Sequence, residues 1–134
     1  MIITDKIYGK QTIDDPLILE LIATPEMQRL QGVNQYGVWD LFDPKYFTSR
    51  FDHSVGVYLL LRQFNAPREE QVAGLLHDIA HTAFSHVIDY VFDDSESQTV
   101  HEKFHNQVIF ASQIPSILQK YSLDINYVTD EHNF

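Results

Sequence analysis

The segment GLLHDIAHTAFSH, residues 74–86, places three histidines and one aspartate among apolar residues. A buried polar group without a partner costs several kcal/mol, and an unpaired carboxylate costs far more than a neutral imidazole. The segment contains no lysine or arginine that could pair with Asp78. A divalent cation held by His77 and Asp78 answers both needs, because imidazole suits Fe, Ni, Zn and Mn, and a carboxylate oxygen suits Mn, Fe and Mg.

Two ligands do not complete a metal site, and a third is expected from the helix predicted over residues 48–64. Apolar residues recur at helical spacing along this helix, and one histidine shares their face. We therefore expect His53 on the inward face, where it can reach the same ion. The residues of this face are His53, Val57, Leu60 and Phe64.

The helix that carries the aspartate is predicted over residues 68–80. In such a helix His77 and His81 lie four residues apart on one face, so one can bind metal while the other reaches a substrate. The alternative is that each histidine is a core residue bonded to a backbone carbonyl. Four apolar residues are expected to point inward: Val72, Leu75, Leu76 and Ile79.

The remaining elements predict a mainly α fold that begins with a short β-hairpin. The hairpin is expected over residues 1–13, with its turn at the Gly9–Lys10 pair. Two short helices begin at Pro16 and Pro25, capped by Asp14 or Asp15 and by Thr24. A loop is expected over 34–47, helices over 83–92, 100–112 and 114–122, and polar loops over 93–99 and 122–134.

Composition limits the function classes. The chain has 134 residues, 44% of them hydrophobic, which suits one domain with a single core. Nine lysines and arginines against nineteen acidic residues give a net charge of −10, so nucleic acid is not an expected partner. No run of 18 apolar residues predicts a membrane helix. The chain has no cysteine, which excludes disulfides and thiolate metal sites; we predict a cytoplasmic location.

Three blocks, RFDHSVGVYLL, LLHDIAHTAFSHVID and HE, occur in this order and resemble the HD-domain metal-dependent phosphohydrolases. Within them, TPEMQRLQGVNQYG is similar to a segment of the deoxynucleoside triphosphate triphosphohydrolase branch. The resemblance covers about residues 5–110. It implies an HD-domain helical bundle, one divalent metal ion (Mn, Fe, Ni, Zn or Mg), and hydrolysis of a nucleotide or other small phosphate compound by metal-activated water.

The resemblance also implies a role for each matching residue. The metal ligands are His53, His77 and Asp78. Facing the substrate phosphates or the attacking water are His81 and His86, and the acid–base and supporting positions are Asp89, His101 and Glu102. Arg50 matches a phosphate-binding arginine, and Gln35 matches a residue of the nucleotide pocket.

Simpler readings exist for several of these residues. His81 and His86 could cap and pack a helix junction, Glu102 could favour a helix dipole, and Arg50 could be a solvated first-turn residue. His105 and His132 are expected at the surface.

The family pattern includes a further aspartate ligand on a later helix. Asp124 and Asp130 lie instead in polar sequence without a helical apolar frame. We therefore expect a single HD-type domain over residues 1–134, truncated at its C-terminal end. The alternative function is a catalytically inactive HD-fold binding or regulatory module. An HD-type iron oxygenase is disfavoured by the spacing of His81 and His86, and a homo-oligomer is left open.

Overall fold

The N-terminal hairpin is present in the computed structural model, which describes residues 1–37, 42–82, 97–130 and 133. Strand β1 (Ile2–Asp5) pairs antiparallel with β2 (Gly9–Thr12), and Ile2 lies opposite Thr12. The turn occupies residues 6–8, so its predicted position at residues 9–10 was wrong. The Oδ1 atom of Asp5 accepts the N–H groups of Ile7 and Tyr8 at 2.7 and 2.8 Å, which fixes the turn at residues 6–8.

Two short helices come next, as predicted. Helix α1 (Pro16–Ile22) is capped by Asp15, whose carboxylate accepts the N–H of Leu17 at 2.9 Å. Helix α2 (Pro25–Arg29) begins after Thr24, but that side chain does not cap it. The Thr24 hydroxyl instead donates to the carbonyl of Leu21 at 2.7 Å, back into α1. Short 3₁₀ turns lie at Leu30–Gly32 and Pro44–Tyr46.

Helices α3 (Arg50–Gln63) and α4 (Arg68–Leu76) pack against each other. The predicted inward face of α3 was wrong, because Leu60 and Phe64 are 39% and 76% exposed. The apolar residues that α3 buries are Val55, Tyr58 and Leu59. Large apolar residues surround this helix on most sides, so their spacing alone does not select the buried face.

Helix α4 ends four residues before its predicted end. Residues 77–80 form turns, so His77 and His81 do not share a helix face as predicted. The four residues predicted to point inward are fully buried, which confirms that part of the prediction. The change of direction after Leu76 determines how the metal-site candidates are presented.

Three further helices complete the described chain: α5 (Ser97–Phe110), α6 (Ile114–Lys120) and α7 (Ile125–Thr129). Helix α5 begins inside the predicted polar loop 93–99, and the helix predicted over 83–92 lies outside the described residues. Helix α7 lies in a stretch predicted to be a loop. It forms because Asp124 accepts the N–H of Asn126 at 2.9 Å and Val128 is buried.

The mainly α fold with an N-terminal hairpin is confirmed. Its core is one cluster of buried apolar side chains from α1 to α4 and from α5 to α7. Among the described helices, none is long and apolar enough to cross a membrane. The C-terminal end of α4 meets α2, α3 and α5, and there the predicted site residues gather.

Candidate metal centre

The three predicted ligand residues converge at the end of α4. Ligand atoms of His53, His77 and Asp78 all lie within 4.8 Å of one another. The Nε2 atoms of His53 and His77 are 3.3 Å apart, and the Nε2 of His77 is 3.4 Å from Oδ1 of Asp78. Both imidazoles are 38% exposed, whereas the Asp78 side chain is 5% exposed. The cluster therefore opens to solvent on its histidine side.

These separations fit a shared ion. Ligand bonds of about 2.1 Å that meet at a tetrahedral angle hold their donor atoms about 3.4 Å apart. The two separations measured from Nε2 of His77 are close to that value, and Nε2 of His53 lies 3.8 Å from Oδ2, the other carboxylate oxygen of Asp78. Two imidazole nitrogens and one carboxylate oxygen are donors that first-row divalent metals accept.

The orientation of the His77 ring also suits metal binding. Its Nδ1 lies 2.7 Å from the carbonyl oxygen of Gly74, one turn back in α4. A carbonyl only accepts hydrogen bonds, so Nδ1 carries the proton and the lone pair of Nε2 faces the cluster. For His53, burial lowers the pKa against the opposing charge of Asp78, and the charge of Arg50 lowers it further. A low pKa keeps this ring neutral, as a ligand must be.

Asp78 has a basic partner that its neighbours in the sequence do not reveal. Nη1 of Arg50, on α3, donates to Oδ2 of Asp78 at 2.8 Å, and the two side chains are only 4% and 5% exposed. The metal ion predicted from the sequence is therefore not needed to explain the burial of Asp78, because Arg50 already pairs with the carboxylate. Arg50 is likewise not a solvated first-turn residue.

His81 contacts the same carboxylate. Its Nε2 lies 3.1 Å from Oδ1 of Asp78, and the residue is 8% exposed. Burial raises the pKa of Asp78, but the hydrogen bond from His81 and the charge of Arg50 outweigh it. The net result is a pKa far below the usual range, so the carboxylate is ionised and available as a ligand.

Gln35 lies on a segment that pairs with the start of α3. Its backbone N–H donates to the carbonyl of Thr48 at 2.7 Å, and the N–H of Arg50 donates to the carbonyl of Val33 at 2.8 Å. Oδ1 of Asn34 accepts the N–H of Thr48 at 3.3 Å and fixes this crossing. The Oε1 of Gln35 is buried without a hydrogen-bond partner among the described residues.

The other predicted site residues are only partly described. His86 and Asp89 lie outside the described residues, and for His101 and Glu102 the structure describes the helical backbone of α5 but not the side chains. Two contacts were missed by the sequence analysis. Arg29 and His105 each reach a backbone carbonyl at the end of α4, and His105, predicted at the surface, is half-buried.

A cavity of about 310 Å³ adjoins the cluster. It lies between α3, α4, α5 and α7, and its walls are mostly apolar. His77 and His105 lie along it, so one face of a proposed metal ligand borders this space.

Comparison with known proteins gives a consistent family signal. The family model for the HD domain matches residues 50–134. The uncharacterized protein YdhJ of Bacillus subtilis is 46% identical over 131 residues, which cover 98% of this chain and 38% of that protein. The metal-dependent phosphohydrolase cns2 of Cordyceps militaris is 36% identical over 131 residues, with the same two coverages of 98% and 38%.

A similarity over a shorter stretch is to a named nucleotide hydrolase. The deoxynucleoside triphosphate triphosphohydrolase SAMHD1 of Danio rerio is 37% identical over 106 residues, which cover 68% of this chain and 17% of that protein. The chain thus spans 38% of the length of the first two relatives and less of the third.

Proposed function

This chain belongs to the HD domain family, and from that membership we propose that it is the metal-binding part of a phosphohydrolase that acts on a nucleotide or another small phosphate compound. The convergence of His53, His77 and Asp78 carries the proposal. HD domains bind a divalent metal, and we assign these three residues as its ligands. The names of the relatives support the substrate class, and they do not favour the alternative of an inactive binding module.

The chemistry expected of the bound ion is to lower the pKa of a coordinated water and to polarise a phosphoryl oxygen. The chain's own residues supply the rest. The Gly74 carbonyl orients His77 through Nδ1, and Arg50 and His81 keep Asp78 ionised. Because His53 and His77 are partly exposed while Asp78 is buried, water and substrate approach from the histidine side.

Arg50 is proposed to bind a substrate phosphate beside the centre. A guanidinium carries five N–H donors, so it can serve a carboxylate and a phosphate oxygen together. Gln35 is proposed to contact the nucleotide, because its buried Oε1 lacks a hydrogen bond in the described structure and its segment pairs with the start of α3. Both roles agree with the sequence resemblance.

The acid–base assignments stay predictions: His81, His86, Asp89, His101 and Glu102. The same holds for a single domain over residues 1–134 and for a cytoplasmic location.

Metal binding is tested first, by titrating the purified chain with Co²⁺ and following its absorption. We expect one ion per chain in the wild type and none in His77→Ala or Asp78→Asn, because both remove a proposed ligand. The matched control is Asp124→Asn, which makes the same chemical change at a carboxylate that caps α7. Binding by His77→Ala at wild-type strength would contradict the ligand set.

Turnover is tested separately, by measuring release of phosphate, pyrophosphate and triphosphate from nucleotides with Mn²⁺, Co²⁺ or Mg²⁺ present. We expect any release to require the metal, and in a complete enzyme we expect His101→Ala to keep the metal while losing turnover, because acid–base groups act on water or the leaving oxygen. Release that continues unchanged after a chelator removes the metal would contradict the proposal of metal-dependent hydrolysis. Equal metal loss in His101→Ala and His77→Ala would show that His101 is a ligand.

A further inference from the structure

The turn that carries the proposed ligands is held from outside by two side chains of distant helices. Nη2 of Arg29, at the end of α2, donates to the carbonyl of Ile79 at 2.8 Å. Nε2 of His105, in α5, lies 3.1 Å from the carbonyl of Leu76. A carbonyl is only an acceptor, so the His105 nitrogen is the donor. These two carbonyls flank His77 and Asp78 in the sequence.

The end of a helix needs such partners. The last carbonyls of an α-helix have no intrahelical donor, and cationic groups are favoured there by the helix dipole. In α4 the Gly74 carbonyl is satisfied by His77, and the Leu76 carbonyl also accepts the N–H of Ile79 at 3.0 Å. The external donors therefore act on the last residue of α4 and on the turn that follows it.

The turn after α4 is held both by packing of the Ile79 side chain and by hydrogen bonds of its backbone. That side chain is fully buried and anchors the turn in the core. The peptide plane between Asp78 and Ile79 is bonded within the turn, because the Ile79 N–H donates to the Leu76 carbonyl and the Asp78 carbonyl accepts the N–H of His81, both at 3.0 Å. The bond from Arg29 to the Ile79 carbonyl fixes the next peptide plane from another helix.

We propose that Arg29 and His105 are positioning residues of the metal centre. By bonding the carbonyls of Ile79 and Leu76, they hold His77 and Asp78 in the geometry that the ion requires. Neither side chain is a proposed ligand or a substrate contact. The inference rests on the proposed metal site, because a positioning role presupposes that His77 and Asp78 bind an ion.

The test measures Co²⁺ affinity of the full chain, with Co²⁺ itself as the probe, in two pairs of variants. Arg29→Met and His105→Leu remove each donor but keep side-chain bulk, whereas Arg29→Lys and His105→Gln keep an N–H donor. We expect affinity to fall about tenfold in the first two, as when partners outside the ligand set are lost. The donor-keeping variants should recover most of it. Arg68→Met, which removes an exposed arginine of α4 that pairs with Asp15, should bind as the wild type does.

Urea unfolding of the metal-free variants separates positioning from general destabilisation. The positioning role is supported if affinity depends on the presence of the donor while the folded fraction of each variant is complete under the assay conditions. It is overturned if Arg29→Met and His105→Leu bind Co²⁺ within about twofold of the wild type, well short of the tenfold loss. It is also overturned if neither Arg29→Lys nor His105→Gln restores a lost affinity.

Two rules keep the possible outcomes distinct. If Arg29→Met does not fold, the His105→Leu and His105→Gln pair decides the test alone. Absence of Co²⁺ binding by the wild type contradicts the proposed metal site, whereas equal binding by the wild type and the variants contradicts only the positioning role.

Discussion

Replacing Arg50 by methionine tests how much stability the fold loses when the buried carboxylate of Asp78 no longer has its arginine partner. The Arg50–Asp78 pair is 2.8 Å long, and both side chains are almost fully buried. Breaking such a pair by removing one partner costs about 3–5 kcal/mol, because the other charge is left in a poorly solvated site. A domain of this size is stable by about 5–15 kcal/mol, so Arg50→Met should lose a large share of its free energy of unfolding.

The measurement is urea unfolding monitored by circular dichroism, first with a chelator and then with excess Co²⁺. A ligand at 100 times its dissociation constant adds about 2.7 kcal/mol to the folded state. Because a bound cation supplies positive charge beside Asp78, metal should recover more stability in Arg50→Met than it adds to the wild type. The control Arg68→Met removes an arginine from an exposed pair and should cost about 1 kcal/mol or less. A loss below about 1 kcal/mol for Arg50→Met in chelator, or equal metal stabilisation in both proteins, would refute this reasoning.

Two further predictions concern stability away from the centre. Gly74→Ala should lower the free energy of unfolding in urea by about 1 kcal/mol, because a Cβ there would collide with Leu61 and lie 3.0 Å from Cγ1 of Val57; overpacking outweighs the gain in helix propensity. A gain in stability would show that α3 and α4 separate at little cost. Glu20→Gln tests an exposed pair in which Lys120 donates to Glu20 at 2.5 Å and lowers its pKa. The folded pKa lies below the unfolded one, so the wild type should melt above the variant at about pH 7 and lose that advantage as pH falls through the glutamate range; an advantage that persists at about pH 2 would contradict the assignment.

The metal cluster could be predicted from the sequence because its parts are strongly patterned. His53 lies in a long helix, and His77 and Asp78 are adjacent, so few arrangements bring all three together. The short helices at Pro16 and Pro25 were equally clear, since proline at the first turn is a local signal. For the two short helices the deciding information lies within a few residues of the feature, whereas His53 and His77 are 24 residues apart.

Other features depend on contacts that no local pattern contains. Helix α4 was predicted to continue to residue 80, because the apolar spacing continues to Ile79 and no glycine or proline marks an end. It stops at Leu76, where Arg29 and His105 reach nearby carbonyls from other helices. The buried face of α3 was missed for a different reason: its apolar residues surround the helix, so the packing of α2 and α4 makes the choice.

The ion pair of Asp78 illustrates how a contact between residues far apart in the sequence can hold a site residue in place. Arg50 is 28 residues away in the chain, yet it occupies Oδ2 while His81 occupies Oδ1. The carboxylate is therefore held from both sides by side chains of the protein. Ligands held in this way lose less freedom when a metal binds. Arg50 also places a fixed positive charge beside the ion, so the affinity of the centre depends on how the charge of Asp78 is shared between the metal and Arg50.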